Sequence, residues 1–252
     1  MTICAQRSVF NAMVAGIGVA LISTSLGAQA IPTPDSLLRR AEAAIGGRAA
    51  LDKHTSVRIT GTVAIPDADI KGTVEILRAK PDRFVQSMNL SGMGTIRKGY
   101  DSTVAWVVEP TGPTLFTGSD ADAMAVQASW YNQLLVPAAL TKARVDSAEF
   151  DGEPAWKLTY ASDLGLEVFV YLSRTTGLRM AETTTTTGGE TTTVESDYRE
   201  FGGVKFPMKV VTRSPAGELV YTFETVEFDH VDPKSLGIPP EIRALIKPGR
   251  GG

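Results

Sequence analysis

The turn at Asp101 and Ser102, in the stretch RKGYDSTVAWVVEPTGP, carries the side chains that most resemble a nucleophile with an acidic neighbour. A nucleophilic serine needs a base and oxyanion donors, and in one large class of hydrolases it stands in a G-x-S-x-G frame. That frame is missing here, and neither histidine, His54 or His230, lies in a catalytic motif. A turn between two strands explains these residues fully, so we predict that the chain is not an enzyme.

Asp67 and Asp69, in PDADIKG, are the nearest approach to a metal-binding loop. A calcium loop of the EF-hand type needs a third oxygen donor and a closing glutamate, and the residues after Asp69 supply neither. We interpret the stretch as a hairpin turn and predict no metal and no cofactor.

Composition and charge limit the classes of partner. The chain has 25 Lys and Arg against 28 Asp and Glu, and no basic block, so nucleic acid is not expected to bind. After residue 30 no stretch approaches the roughly 18 apolar residues of a membrane helix. We therefore predict no transmembrane segment in the mature chain.

The first 30 residues are organised like a secretory signal peptide. MTICAQR carries one positive charge, an apolar run follows, and AQA supplies a small-residue cleavage site that ends at Ala30. We expect residues 1–30 to be removed and residues 31–252 to form a single domain in the periplasm, with 243–252 as a flexible tail.

Two segments carry helix signals. Thr33 precedes Pro34 as an N-cap, and Gly46 ends an amphipathic stretch that must lie on an apolar surface. In GSDADAMAVQASWYNQLLVPAALTK, Ser119 is expected to cap a second helix that Pro137 ends or kinks.

The rest of the chain consists of β-branched runs separated by Gly, Pro and Asp turns, about a dozen strands in all. This pattern predicts a mainly β fold with helices (α+β), in which a single large, curved antiparallel sheet forms an incomplete β-barrel covered by helical segments. Because helices occur only at the start and in the middle, we expect them to act as a lid over an apolar cavity on the concave face.

Large apolar side chains are the candidates for the lining of that cavity. Alternation places Trp106 on one face of its strand with Val104, where it forms either a cavity wall or an ordinary core contact under a helix. Methionines adapt to irregular ligands, but they also fill gaps in cores. The candidate ligand-binding residues are Phe84, Met88, Leu90, Met93, Trp106, Trp130, Leu134 and Phe169.

Three short motifs resemble those of the bacterial outer-membrane lipoprotein-sorting carriers, which share the LolA and LolB-like fold. LRAKPDRF contains Lys80, Pro81 and Phe84, KGYDSTVAW contains Gly99 and Trp106, and the proline-bearing EPTGP follows. The resemblance implies an incomplete antiparallel barrel, closed by helices, that holds acyl chains while it crosses the periplasm. It also implies that the basic residue before the proline, here Lys80, acts in cargo release or gating.

Together these observations predict a periplasmic carrier or binding protein, chaperone-like in role, that shelters an acyl chain, lipid or lipoprotein on the concave face of its sheet. The alternative is an envelope interaction or sensing module with the same fold and no lipid cargo. In that case the threonine-rich hairpin, with Thr183–Thr187 and Thr191–Thr193, would dock a protein partner.

Overall fold

Thirteen antiparallel strands form one sheet in the computed structural model, which describes residues 30–132, 142–162, 166–186 and 189–246. The strands are β1 (Ser56–Ile65), β2 (Ile70–Ala79), β3 (Arg83–Leu90), β4 (Gly94–Tyr100), β5 (Ala105–Glu109), β6 (Gly112–Leu115), β7 (Arg144–Phe150), β8 (Glu153–Ala161), β9 (Glu167–Ser173), β10 (Arg179–Thr186), β11 (Gly189–Phe201), β12 (Val204–Ser214) and β13 (Gly217–Phe228).

The strand order is β6-β5-β4-β3-β2-β1-β13-β12-β11-β10-β9-β8-β7. Each strand therefore lies beside its neighbour in the chain, except that β1 pairs with β13 and joins two meanders at the centre of the sheet. Because β6 and β7 form the two edges, the sheet is not closed. The prediction of a single antiparallel sheet that forms an incomplete barrel is confirmed.

Helix α1 (Pro34–Ala44) begins as predicted, because the Thr33 side chain accepts a hydrogen bond from the Ser36 backbone N–H at 3.2 Å. Helix α2 (Gly47–Leu51) follows it, and α4 (Pro240–Arg243) lies after a 3₁₀ turn at Pro233–Leu236.

Helix α3 (Ser119–Ala128) differs from its prediction at both ends. Ser119 is its first residue and not its cap, since Gly118 enters the helix with φ 57°, a conformation that glycine tolerates. The helix stops at Ala128, so Trp130 follows it, and Pro137 lies outside the described residues. None of the helices that the structure describes has the length and apolar character needed to cross a membrane.

The pairing register defines two faces of the sheet, because directly paired residues point their side chains to the same side. Ile59 pairs with Ile76, and Ile76 pairs with Gln86, on the side that we call the inner face. Leu77 pairs with Val85 on the opposite side, the outer face.

Helices α1, α2 and α3 all pack on the inner face. Leu37 and Ala41 of α1 are buried against β8 and β9, Leu51 of α2 is buried against β1, β12 and β13, and Met124 and Ala128 of α3 are buried against Phe84. On the outer face a smaller core forms between β2, β3 and β5 and the C-terminal segment that contains α4. The helices therefore leave the middle of the inner face to a cavity.

Candidate functional site

A cavity of about 170 Å³ lies against the inner face near the end of α1. At about 30 Å³ for each water molecule in the liquid, this volume corresponds to about six waters. Its apolar lining consists of Ala41, Ile45, Ile59, Ile76, Leu172, Phe206, Pro207, Phe223 and Val226. Six polar residues complete the wall, namely Arg78, Asn132, Arg179, Glu195, Tyr198 and Lys205. A mostly apolar cavity with a few polar groups is typical of a small-molecule site.

The Arg179 side of the wall is a closed ionic network. Arg179 donates to Glu195 in a bidentate pair, with Nε 2.9 Å from Oε2 and Nη2 2.5 Å from Oε1, and its Nη1 lies 3.3 Å from Glu182 Oε2. The Tyr198 hydroxyl lies 2.5 Å from Glu195 Oε2. Burial acts to lower the pKa of Arg179, but the two carboxylates outweigh it and raise that pKa. Burial and the Glu195 charge likewise raise the pKa of Tyr198.

The Arg78 side of the wall has no such network. Arg78 Nη1 donates to the backbone carbonyl of Gln127 in the last turn of α3 at 2.5 Å, and its guanidinium lies 4.8 Å from the ring centroid of Phe84. Within the described residues no carboxylate lies within ion-pair distance of Arg78. Burial lowers the pKa of Arg78 to about 10.

Lys98 is a second cation on the inner face close to Arg78. It pairs across the sheet with Gln86, which in turn pairs with the cavity-lining Ile76. Burial and the charge of Arg78 both lower the pKa of Lys98. No ion pair joins Lys98 to an acid in the part of the chain that the structure describes.

Lys80, the residue that we expected to act in gating, lies directly after β2 and ties together the ends of α2 and α3. Its Nζ donates to the Asp52 carbonyl at 3.1 Å and lies 3.7 Å from Asp52 Oδ1, and it is 5.6 Å from the centroid of the Trp130 ring. Tyr131 donates its hydroxyl hydrogen to the same Asp52 carboxylate. Lys80 and Arg78 thus both hold α3 and the residues after it against the sheet.

The predicted lining residues of β3 lie on the inner face but beside this cavity. Phe84 is fully buried under α3, whereas Leu90 is buried with Val63 and Val74 farther along the sheet, with Met88 packed against them. None of the three is among the residues that line the cavity.

The other predicted lining residues take different positions. Trp130 is buried beside α2, where its Nε1 lies 3.4 Å from the Leu51 carbonyl. Met93 is in an exposed turn, with 46% of its surface accessible. Phe169 lies on the outer face beneath Lys157, whose Nζ is 4.0 Å from the ring centroid. Leu134 lies outside the described residues.

Trp106 does not form the cavity wall that we expected, because it lies on the outer face of the sheet. It pairs directly with Gly99, and a Cβ at Gly99 would come within 2.6 Å of the indole ring. The ring is fully buried and packs with Leu236 and Ile242 of the C-terminal segment. Alternation along β5 was predicted correctly, but a strand's own sequence does not say which of its two faces the helices cover.

The Asp101–Ser102 turn has the structural role that its sequence predicts. Asp101 Oδ1 accepts hydrogen bonds from the backbone N–H groups of Thr103 and Val104 at 3.0 and 2.9 Å, and Ser102 Oγ donates to the Asp82 carbonyl at 3.2 Å. These are the contacts of a turn between β4 and β5.

Sequence reasoning missed a histidine–aspartate pair at the end of β13. His54 Nδ1 lies 2.9 Å from Asp229 Oδ2, its Nε2 lies 3.0 Å from the Gly202 carbonyl, and its ring stacks on Phe228. Desolvation acts to raise the pKa of Asp229, but hydrogen bonds from Thr55 and His54 outweigh it and hold that pKa well below its usual range. The pair joins the end of α2 to β13 and to the β11–β12 hairpin.

Arg78 was also missed, although the sequence contains a signal for it. In IKGTVEILRAK the inward positions run Val74, Ile76, Arg78, so a cation continues an apolar face. The Arg179–Glu195 pair has no comparable signal, because it depends on the register of the β10–β11 hairpin and on a bulge between Arg179 and Ala181.

Comparisons with known proteins identify the fold. No model of a protein family matches the sequence, and no curated protein matches it as a relative. Among solved structures, a LolA superfamily protein from Nitrosomonas europaea has a TM-score of 0.53 and 14% identity over 82% of this chain and 98% of its own. A DUF1329 family protein from Desulfovibrio piger has a TM-score of 0.55 and 10% identity over 81% of this chain and 99% of its own.

A third structure, an outer membrane lipoprotein-sorting protein domain from Vibrio parahaemolyticus, has a TM-score of 0.50 and 10% identity over 80% of this chain and 95% of its own. At these identities the likeness concerns the fold. The resemblance suggested by the sequence motifs is therefore confirmed at that level: the chain has the LolA-like fold and is a distant structural relative of the lipoprotein-sorting proteins.

Proposed function

We propose that this protein is a non-enzymatic periplasmic carrier that binds an acyl chain, free or as part of a lipid or lipoprotein, in the cavity of its inner face. The cavity itself carries the proposal. Nine apolar side chains line it in the middle of a sheet whose neighbouring inner regions are covered by α1, α2 and α3. Burying a chain there would supply about 25 cal/mol for each Å² of apolar surface removed from water.

Release of the ligand would follow from movement of α3. The helix contacts the sheet through few large side chains, chiefly Met124, and its Val126 is 67% exposed. At its C-terminal end Arg78 donates to the Gln127 carbonyl. Just after the helix, Tyr131 donates to Asp52, and Trp130 is buried beside α2. Polar contacts of this kind exchange readily with water, so a partner could displace them.

Native mass spectrometry of the protein purified from the periplasm of an expressing bacterium, followed by lipid extraction, tests this function. We expect a stoichiometric ligand that contains an acyl chain. Ala41→Phe should displace it, because Ala41 lines the cavity and a phenyl group would fill the space. Ala43→Phe is the matched control, since Ala43 is an exposed residue of the same helix.

A wild-type protein that carries no ligand, and takes up none from phospholipid vesicles, would contradict the carrier. That result would favour the envelope interaction module, whose partner would be sought by crosslinking from the threonine-rich hairpin. Ligand that survives Ala41→Phe as well as Ala43→Phe would place the binding site elsewhere on the sheet.

A further inference from the structure

The charges around the cavity do not balance. Three cations line it, Arg78, Arg179 and Lys205, and the one carboxylate among the described lining residues is Glu195. That carboxylate is already held by Arg179 in a bidentate pair. The positive charge of Arg78 and of Lys205 therefore has no counterpart in the described wall.

Arg78 keeps most of its hydrogen-bonding capacity. A guanidinium has five N–H donors in a planar fork, and the described contacts of Arg78 use one, from Nη1 to the Gln127 carbonyl. The guanidinium carbon lies over the ring of Phe84. The remaining donors belong to a side chain that lines an apolar cavity, where an unpaired cation is unfavourable.

Lys98 adds to the excess of positive charge near the cavity. It lies diagonally across the sheet from Arg78, through Gln86 and Phe84 of β3, and the two cations repel one another. Partly buried like charges without an acid between them oppose folding. Other cations without an acidic partner, such as Arg174, donate through more than one nitrogen to a carbonyl and a hydroxyl. Arg78 differs because it lines the cavity with four of its five donors unused in the described contacts, and this combination indicates the charge of a ligand.

We propose that the ligand of this cavity is amphiphilic and that Arg78, supported by Lys98, binds an anionic oxyacid group attached to its acyl chain. This inference rests on the proposed carrier function and adds the chemical class of the ligand. A fatty-acid carboxylate and the phosphate of a lipid share the required chemistry, since each offers oxygens that accept two N–H groups of a guanidinium.

Titration calorimetry on the purified, delipidated protein tests the charge of the ligand without any mutation. The probes are dodecanoate, dodecanol, dodecyl phosphate and inorganic phosphate. We expect dodecanoate to bind at least about tenfold more tightly than dodecanol, the effect of one or two hydrogen bonds to a charged group. A preference for dodecyl phosphate over dodecanoate would identify lipid phosphate as the source, and the reverse preference would identify a free fatty acid.

Substitutions then assign the effect to residues. Arg78→Met should bring the ratio of dodecanoate to dodecanol affinity close to one, and Lys98→Met should reduce it severalfold. Lys157→Met is the matched control, because Lys157 also lies over an aromatic ring, that of Phe169, but on the outer face. It should leave the ratio unchanged. Thermal unfolding of each variant shows whether the fold is retained.

Two results would overturn the inference and leave the carrier function intact. One is equal affinity of the wild-type protein for dodecanoate and dodecanol, and the other is a preference for the acid that survives Arg78→Met. Binding of inorganic phosphate as tight as that of dodecyl phosphate would also overturn it, because the chain would then contribute nothing. If no dodecyl probe binds the wild-type protein, the proposed function fails, and this inference fails with it.

Discussion

Two arginines lie in the wall of one cavity and have opposite surroundings. Arg179 is held by Glu195 and Glu182, and the two carboxylates raise its pKa. Arg78 is partly buried, with a backbone carbonyl and an aromatic ring as its described contacts, and desolvation lowers its pKa. Arg179 joins β10 to β11 through its pair with Glu195, whereas Arg78 has N–H donors without a described acceptor.

The difference shows how a structural cation can be told from a binding one. A charge that serves the fold has its donors satisfied, either by a carboxylate, as at Arg179, or by carbonyl and hydroxyl oxygens, as at Arg174. Among its described contacts Arg78 has only one such oxygen, a backbone carbonyl, and its unused donors lie in the wall of a cavity. On this reasoning the Arg179 side of the cavity is a rigid wall, and the Arg78 side is where a ligand and α3 meet.

The largest expected effect comes from removing the counter-charge of Arg179. Glu195→Gln should lower the free energy of unfolding by about 1.5–3 kcal/mol, because the partly buried guanidinium loses its bidentate partner and keeps only the longer contact with Glu182. Urea denaturation measures this change. Glu218→Gln is the matched control, as its pair with Arg213 is well exposed and should contribute at most about 1 kcal/mol. Equal losses in the two variants would mean that Arg179 is no more dependent on pairing than a surface arginine.

A smaller effect is expected at the half-exposed pair of His54 and Asp229. Asp229→Asn should cost about 1 kcal/mol near neutral pH, since solvent screens the pair. The folded state lowers the pKa of Asp229, so this stability is present above the unfolded pKa of about 4 and is lost as the pH falls below it. The gap in unfolding free energy between wild type and variant should therefore narrow at about pH 3.

Glu224→Gln, which changes an acid elsewhere on β13, serves as the control for that pH series. A gap between wild type and Asp229→Asn that stays constant on acidification would show that the carboxylate charge is not what stabilises the end of β13.

The smallest change in stability is expected at Arg78. Arg78→Met should alter the free energy of unfolding by less than about 1 kcal/mol, because the loss of one hydrogen bond is offset by relief of an unpaired buried charge. Hydrogen exchange should nevertheless become faster in α3, whose last turn loses its contact with β2. A loss as large as that of Glu195→Gln would mean that Arg78 is a structural cation too.

Local sequence was sufficient to predict most elements. Thr33 and Pro34 mark the start of α1, and the turn residues separate the strands, because capping and turn chemistry act over a few residues. Alternation also placed Phe84, Met88 and Leu90 correctly on one side of β3.

The pairing register between distant segments could not be predicted from local sequence. Trp106 shows this, because its side of β5 is fixed by pairing with Gly99 and by a C-terminal segment more than a hundred residues away. The cavity is lined by residues of α1, β1, β2, β9, β10, β11, β12 and β13. Their meeting depends on the pairing of distant strands, which the sequence of one strand does not specify. Four of the eight predicted candidates lie on β3 and β5, whereas the aromatic residues that line the cavity, Tyr198, Phe206 and Phe223, lie on β11, β12 and β13.

The pairing of β1 with β13 has a consequence for the order of events in folding. It joins residues such as Arg58 and Glu227, which are 169 positions apart, so closing this seam carries a large loop entropy and is expected late. Ile59 on one side of the seam and Phe223 and Val226 on the other all line the cavity. A chain that leaves the export channel N-terminus first therefore forms its binding site only after β13 has paired with β1, and it cannot bind the ligand before that step.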